Sequence, residues 1–257
     1  MILPALAPAR RLAAAFAVFL LSATGAHAGS KVAVSTPALH SLVANLLAGV
    51  DRPALLLASR EALAADRLDE ATLAAIEAAK MVVWAGPEYE RNLAAQRAID
   101  PTAGLKGLTL SMTTPLITIS RPGEPDRPGD RHDMRFWLDP RLAKVAVSRI
   151  ATNLVRVYPD EGDRILENEI TLKKRLGALE KQMAETLKSP EGVPLHMPTS
   201  DVLYLAWRFN LTVPTCPVAA AKSEAFGGEP GPALYFAMMA AVRDDLLHCQ
   251  RQARPAS

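Results

Sequence analysis

Short apolar runs alternate with helical patterns in the first part of the chain, and this rhythm constrains the fold more than any other feature. Lys31 to Ser35, Ala54 to Leu57 and Met81 to Trp84 have the length and composition of buried strands. A helical spacing of leucines closed by Gly49 follows the first run, and Leu68 to Lys80 follows the second. Weaker strand patterns are Leu108 to Leu110 and Leu116 to Ile119. Strands that alternate with helices in this way predict an α/β fold with a mostly parallel sheet.

Two long helices are predicted in mid-chain, after a stretch from Arg121 to Arg135 whose prolines, glycines and mixed charges indicate a solvated loop. Asp139 followed by Pro140 is a strong helix start, and that helix stops at Tyr158. The next runs from about Asp160 to Lys188 and would reach roughly 40 Å at 1.5 Å per residue. We interpret the two helices as a rigid spine between two lobes; a packed helical hairpin is the alternative.

A second α/β segment follows the long helices. Val193 to Met197 and Leu211 to Val213 are strand patterns, and Asp201 to Phe209 and Pro232 to Cys249 are helical patterns. The chain thus reads as two α/β lobes with mostly parallel sheets joined by long helices.

The N-terminus predicts export. Arg10 and Arg11 precede an apolar run from Leu12 to Leu21, and Ala26-His27-Ala28 is the small-x-small pattern that signal peptidases recognise. A retained membrane anchor is the alternative, but the run is about half of the roughly 20 residues that a spanning helix needs. We therefore expect a periplasmic protein cleaved near Ala28, with no transmembrane segment in the mature chain.

Export affects how the charge and the cysteines of the chain are interpreted. The 29 basic and 27 acidic residues give a net charge of +2, which Arg10 and Arg11 supply in full. A chain without net positive charge or a basic block argues against nucleic-acid binding. In an oxidising compartment Cys216 and Cys249 are a disulfide candidate, with two buried free thiols as the alternative.

Five stretches spread over the chain carry a recognisable pattern: Pro37 to Val43, Val82 to Pro87 with Glu90, Phe136 to Pro140, Tyr204 to Leu211, and Gly231-Pro232 with Tyr235-Phe236. Together they resemble one protein family, the extracytoplasmic solute-binding proteins of zinc and manganese ABC transporters. The resemblance implies two α/β lobes, a metal site in the cleft between them and delivery of the ion to a membrane permease. With the signal peptide at 1–28, we predict an N-terminal lobe at 29–135, linking helices at 136–188 and an abbreviated C-terminal lobe at 189–257.

The family's metal ligands are replaced in this chain. Zinc requires about four N, O or S ligands in a tetrahedron, which this family supplies as three histidines and a carboxylate. When the family's motifs are laid over this sequence, the three histidine positions fall on Ala64, Arg135 and Thr199, and the carboxylate falls on or near Lys222. The Asp that leads the second motif is present as Asp133. The resemblance thus predicts a site without its usual ligands, and Zn²⁺ or Mn²⁺ only if the family role is retained.

Arg135 and Lys222 would change the charge of the cleft. A guanidinium offers only donors and stays protonated, so it cannot ligate a cation. We expect an internal carboxylate, Asp133 or Glu224, to neutralise these cations; an anionic ligand is the alternative.

The remaining histidines are weak candidates for replacement ligands. His132 and His196, together with Asp133, form the best available set. His40 is expected to be a helix-cap or core histidine, and His248, beside Cys249, a surface residue or the neighbour of a disulfide.

The function expected from the sequence is that of an exported, monomeric solute-binding protein that docks on a permease. The alternatives are an anion-binding protein and a regulatory or docking subunit in the periplasm. The chain carries no hydrolase elbow, zinc-protease motif, Cys-x-x-Cys or phosphate loop, so we do not expect an enzyme.

Overall fold

The computed structural model describes residues 30–95, 106–112, 119–120, 132–187, 202–211 and 224–252. Its first part is built on strands β1 (Val32–Val34), β2 (Ala54–Leu55), β3 (Met81–Trp84) and β4 (Gly107–Thr109). They form one sheet in the order β2-β1-β3-β4, and every pairing is parallel. The prediction of an α/β fold with a parallel sheet is confirmed.

Helices cover both faces of this sheet. Alternate strand residues point to opposite faces, so Val32, Val34 and Val83 join the main core, while Val82 and Trp84 join a smaller core on the other side. The helices of this part are α1 (Pro37–Leu46), α2 (Arg60–Ala64), α3 (Glu70–Ala78) and α4 (Arg91–Ala95). Burial on both faces explains why the strands read as continuous apolar runs.

Two long helices contribute their buried faces to the main core, and they lie close to the predicted positions in the chain. Helix α5 (Pro140–Val157) begins where the Asp139 carboxylate accepts from the Arg141 N–H at 2.7 Å, and Pro140 occupies the first turn. Helix α6 (Gly162–Thr186) has 25 residues and is about 37 Å long. The helices pack along each other, with Lys144 bonded to Glu180 and Ser148 bonded to Glu169. Helices α7 (Leu203–Phe209) and α8 (Leu234–Gln252) complete the described part, and α8 packs against α1.

The prediction of a solvated loop through Arg135 is wrong at its end. Residues His132–Asp133 form strand β6, which pairs antiparallel with β5 (Ile119–Ser120). Asp133, Met134 and Arg135 are buried, with 0%, 3% and 3% of their surface exposed. Mixed charges in a sequence predict an exposed segment, but Asp133 and Arg135 neutralise each other and can therefore be buried.

Three further predictions concern residues outside the described ranges: the strand at 193–197 and most of the strands at 116–119 and 211–213. The five-residue helices α2 and α4 were not predicted, because so short a segment carries little periodicity. Within the described ranges no helix is both long and apolar enough to cross a bilayer.

Candidate functional site

The carboxyl edge of the parallel sheet carries a buried acid, Glu90. The Ser35 hydroxyl, after β1, donates to Glu90 Oε1 at 2.5 Å, and the N–H groups of Ala85 and Gly86, after β3, donate to its two oxygens at 3.1 and 2.8 Å. Gly86 has φ +148°, and a Cβ at this position would collide with Ser111 Oγ, so the turn requires glycine. Burial raises the pKa of Glu90 to about 7, although its hydrogen bonds oppose the shift.

Arg135 and Asp133 form a buried ion pair close to this edge. Arg135 Nε donates to Asp133 Oδ1 and Nη2 donates to Oδ2, both at 2.9 Å, and the Arg135 N–H donates to Oδ1 at 2.9 Å. The side chains are 3% and 0% exposed. Both carboxylate oxygens therefore accept from Arg135, and the cation is neutralised by its own neighbour, as the sequence led us to expect.

Aromatic side chains hold the segment that carries this pair. The Tyr204 hydroxyl donates to the carbonyl of Asp133 at 2.5 Å, and the Tyr235 hydroxyl donates to the carbonyl of Trp137 at 2.7 Å. Trp137 packs edge-on against Tyr89 and Phe136, with ring centroids 5.3 and 5.4 Å apart. Burial raises the pKa of Tyr204 and Tyr235, so both hydroxyls stay protonated and act as donors.

Tyr89 connects the buried pair to a pocket. Desolvation, followed by the charges of Glu224 and Glu90, raises the pKa of Tyr89 well above its usual value, whereas the nearby Arg135 lowers it. The Tyr89 hydroxyl donates to Glu224 Oε1 at 3.0 Å, and Arg60 Nη2 lies 2.7 Å from Glu224 Oε2. Glu224 precedes α8, so this cluster joins distant parts of the chain.

The pocket has a volume of about 610 Å³ and lies beside Ala64, the first position aligned with a ligand. Ala64 is exposed at the end of α2 and brings only a methyl group. Charged groups of both signs line the pocket: Arg60, Arg91, Asp66, Glu88 and Glu224. Arg135 is not among the residues that line this pocket, whereas Tyr89 is.

The weak metal candidates do not converge in the described residues. His132 Nδ1 lies 3.1 Å from both oxygens of Glu88, and Asp133 is occupied by Arg135. Among the side chains that the structure describes, no three His, Cys, Asp or Glu groups could share a metal ion. Thr199, Lys222, His196 and Cys216 lie outside the described ranges, and the side chain of Cys249 is likewise not described, so the proposals about these residues and the disulfide stay predictions.

The structure also places His40 and His248. His40 is 7% exposed, its Nε2 lies 3.0 Å from the carbonyl of Pro53, and burial lowers its pKa, so the prediction of a core histidine is confirmed. His248 is exposed on α8.

Sequence reasoning missed Arg60, Glu88 and Tyr89. Glu88 and Tyr89 lie between Pro87 and Glu90, two residues that resemble the family's pattern. Their partners, His132 and Glu224, are far away in sequence, and no local spacing reveals such contacts.

The fold is that of a solute-binding protein. The structure of FpvC from Pseudomonas aeruginosa in complex with Mn²⁺ superimposes with a TM-score of 0.70 at 15% identity, covering 87% of this chain and 99% of that one. A crystal structure of ZnuA gives a TM-score of 0.63 at 18% identity, covering 86% and 97%. At these identities the likeness concerns the fold.

Sequence comparison identifies the family. Residues 32–249 match the ZnuA family, described as the periplasmic component A of a zinc-uptake complex, and the chain belongs to this family. The high-affinity zinc uptake protein ZnuA of Brucella abortus (strain 2308) is 25% identical over 238 residues, which cover 78% of this chain and 71% of that protein. ZnuA of Yersinia pestis is 29% identical over 139 residues, 46% of this chain and 43% of that protein. The predicted membership of the zinc and manganese solute-binding proteins is confirmed, and these relatives are uptake proteins rather than enzymes.

Proposed function

We propose that this chain is the monomeric solute-binding subunit of a periplasmic uptake complex, released from its leader near Ala28 and docking on a membrane permease. Family membership over 32–249 supports this role. The division into lobes at 29–135 and 189–257, joined by 136–188, belongs to the same proposal. The cleft between the lobes would then include the pocket beside Ala64.

The second part of the proposal is that the cleft does not hold a divalent cation in the manner of the family. The observation that carries it is the buried pair Arg135–Asp133. In metal sites a carboxylate often orients a ligating histidine from behind. Asp133 fits that supporting role, but its partner is a guanidinium that cannot donate an electron pair and repels a cation.

The anion-binding alternative receives less support. Arg135 adds no net charge, because both oxygens of Asp133 are bonded to it. The pocket beside Ala64 contains both signs of charge and, at about 610 Å³, lies in the size range of small-molecule pockets. A small polar solute fits this pocket better than a bare ion of either sign.

Metal analysis of untagged protein, combined with thermal unfolding in Zn²⁺ and Mn²⁺, tests the proposal. We expect less than one tenth of an equivalent of bound metal and no rise in unfolding temperature. A ligand at a hundredfold excess over its dissociation constant would stabilise the fold by about 2.7 kcal/mol. For a chain of this size that corresponds to a shift of roughly 5 to 10 °C. Stoichiometric metal with such a shift would refute the lost-site proposal.

A further inference from the structure

One wall of the pocket beside Ala64 is a continuous stretch of chain, residues 86–95, which we call the wall segment. It consists of the turn after β3 and helix α4. The pocket lining includes five of its residues: Glu88, Tyr89, Arg91, Asn92 and Ala95. Displacement of this segment would therefore remove one side of the pocket.

Polar contacts that are only partly buried connect the wall segment to α2 and to the residues before α8. Asn92 Nδ2 donates to the carbonyl of Ala62, on α2, at 2.7 Å. The Tyr89 hydroxyl donates to Glu224 Oε1 at 3.0 Å. Because these contacts are only partly buried, water can replace either partner when the segment moves.

Glu90 is the buried acid of the wall segment, with 0% of its surface exposed. Its hydrogen-bond partners are the Ser35 hydroxyl and the N–H groups of Ala85 and Gly86, all of which are neutral. Burial without a cation destabilises a carboxylate far more than it destabilises a neutral carboxyl group. Protonation of Glu90 therefore favours the position that the segment has in this structure.

The charged groups around Glu90 are bonded to other partners. Both oxygens of Asp133 accept from Arg135, and Glu224 accepts from the Tyr89 hydroxyl. Tyr89 stays protonated, because desolvation and the charges of Glu224 and Glu90 raise its pKa well above the usual value. Within the described residues none of these groups hydrogen-bonds Glu90. A change in the charge of Glu90 is therefore not compensated by a direct partner.

We propose that a proton on Glu90 keeps the wall segment closed against the pocket, and that loss of this proton favours an opening in which the carboxylate reaches water. Burial raises the pKa of Glu90 to about 7, whereas a carboxyl group in the open, solvated segment keeps the ordinary value of 4.5. The closed state is therefore fully favoured below pH 4.5 and loses this advantage as the pH rises through 7. The equilibrium constant for opening should rise roughly 25-fold between pH 5.5 and pH 8. As regulation of a solute pocket the inference rests on the proposed function, whereas the opening itself does not depend on what the pocket binds.

Hydrogen exchange of the full chain, followed by mass spectrometry in EDTA without any solute, tests the proposal. We expect protection factors in the wall segment that are at least about tenfold below those of α1 and that fall roughly 25-fold from pH 5.5 to pH 8. Glu90→Gln has no titrating group at this position and should remove the fall. Ser35→Ala removes a donor that lowers the pKa of Glu90, so the fall should move to higher pH. Histidine side chains titrate in the same range, so His132→Gln, which alters the contact with Glu88, is the matched control and should keep the fall.

Three results of this experiment would overturn the proposal. They are protection factors in the wall segment equal to those of α1, as global unfolding alone would give; protection that does not change with pH; and the same fall in Glu90→Gln as in the wild type. Carbon-13 NMR of the Glu90 carboxyl group measures its pKa without any variant, and a value near 4.5 would also refute the proposal. Stoichiometric metal would refute the proposed function and leave the exchange in EDTA unaffected, so the two failures are distinguishable.

Discussion

Two arginine–carboxylate pairs lie at the site, and they differ in sequence distance and in burial. Arg135 and Asp133 are two residues apart and almost completely buried, at 3% and 0% exposure. Arg60 and Glu224 come from distant segments, and their side chains are 43% and 10% exposed. The same chemical pair is thus a fixed part of the fold in one place and a contact at the rim of a pocket in the other.

The comparison shows how the ligand loss that we propose is compatible with an intact fold. The Arg135–Asp133 pair is buried at the position where the resemblance to the family predicts a histidine, and removal of Arg135 would leave the Asp133 charge buried and unpaired. The Arg60–Glu224 pair, which we call the outer pair, lies at the rim of the pocket beside Tyr89, where water can replace either partner. We therefore expect substitutions in the two pairs to have very different effects.

The largest expected effect is that of Arg135→Ala. The Asp133 carboxylate would stay buried without its cation, at a cost of about 3 to 5 kcal/mol in the free energy of unfolding. Urea unfolding followed by circular dichroism measures this loss. Addition of Asp133→Ala to the variant should recover part of it, since the unpaired charge disappears. A loss below about 1 kcal/mol in the single variant would mean that the buried pair contributes no more to stability than an exposed ion pair, which would contradict this account.

Glu90→Gln extends the comparison to a buried carboxylate that no cation among the described residues hydrogen-bonds. Its hydrogen-bond donors, Ser35, Ala85 and Gly86, are neutral. Its pKa is raised from 4.5 to about 7, so the folded state binds a proton more tightly than the unfolded state. The resulting stabilisation is complete below pH 4.5 and is lost as the pH rises through 7. Relative to the variant, the wild type should lose up to about 3 kcal/mol between these limits. Parallel stability curves for the two proteins from pH 4.5 to 8 would contradict the raised pKa.

Arg60→Ala should have the smallest effect, at most about 1 kcal/mol, because its partner Glu224 remains bonded to Tyr89 and the guanidinium is half-exposed. Thermal unfolding at low and high salt measures the effect, and salt should reduce it further. A loss as large as that of Arg135→Ala would mean that the rim pair is an integral part of the fold.

The regular elements could be predicted from the sequence because local patterns determine them. Valine runs at 32–34 and 81–84 and the Asp139-Pro140 start of α5 are visible without any tertiary information. The Arg135–Asp133 pair was also within reach, since the two residues are neighbours in sequence.

The rest of the site could not be predicted, because it depends on contacts between distant segments. The bonds of Glu224 to Tyr89 and Arg60, and of His132 to Glu88, cross more than forty residues. The burial of residues 133–135 could not be predicted for a related reason. Two charged residues in a sequence predict an exposed segment, and only the ion pair between them lowers the free-energy cost of burying both.

A zinc titration by calorimetry, comparing wild type with Ala64→His/Arg135→His/Thr199→His/Lys222→Glu, tests the central claim most directly. The variant restores the family's ligand set and leaves Asp133 to orient the new histidine at 135. We predict no saturable zinc binding by the wild type and one equivalent bound by the variant. Tight binding of one zinc ion by the wild type would contradict the account.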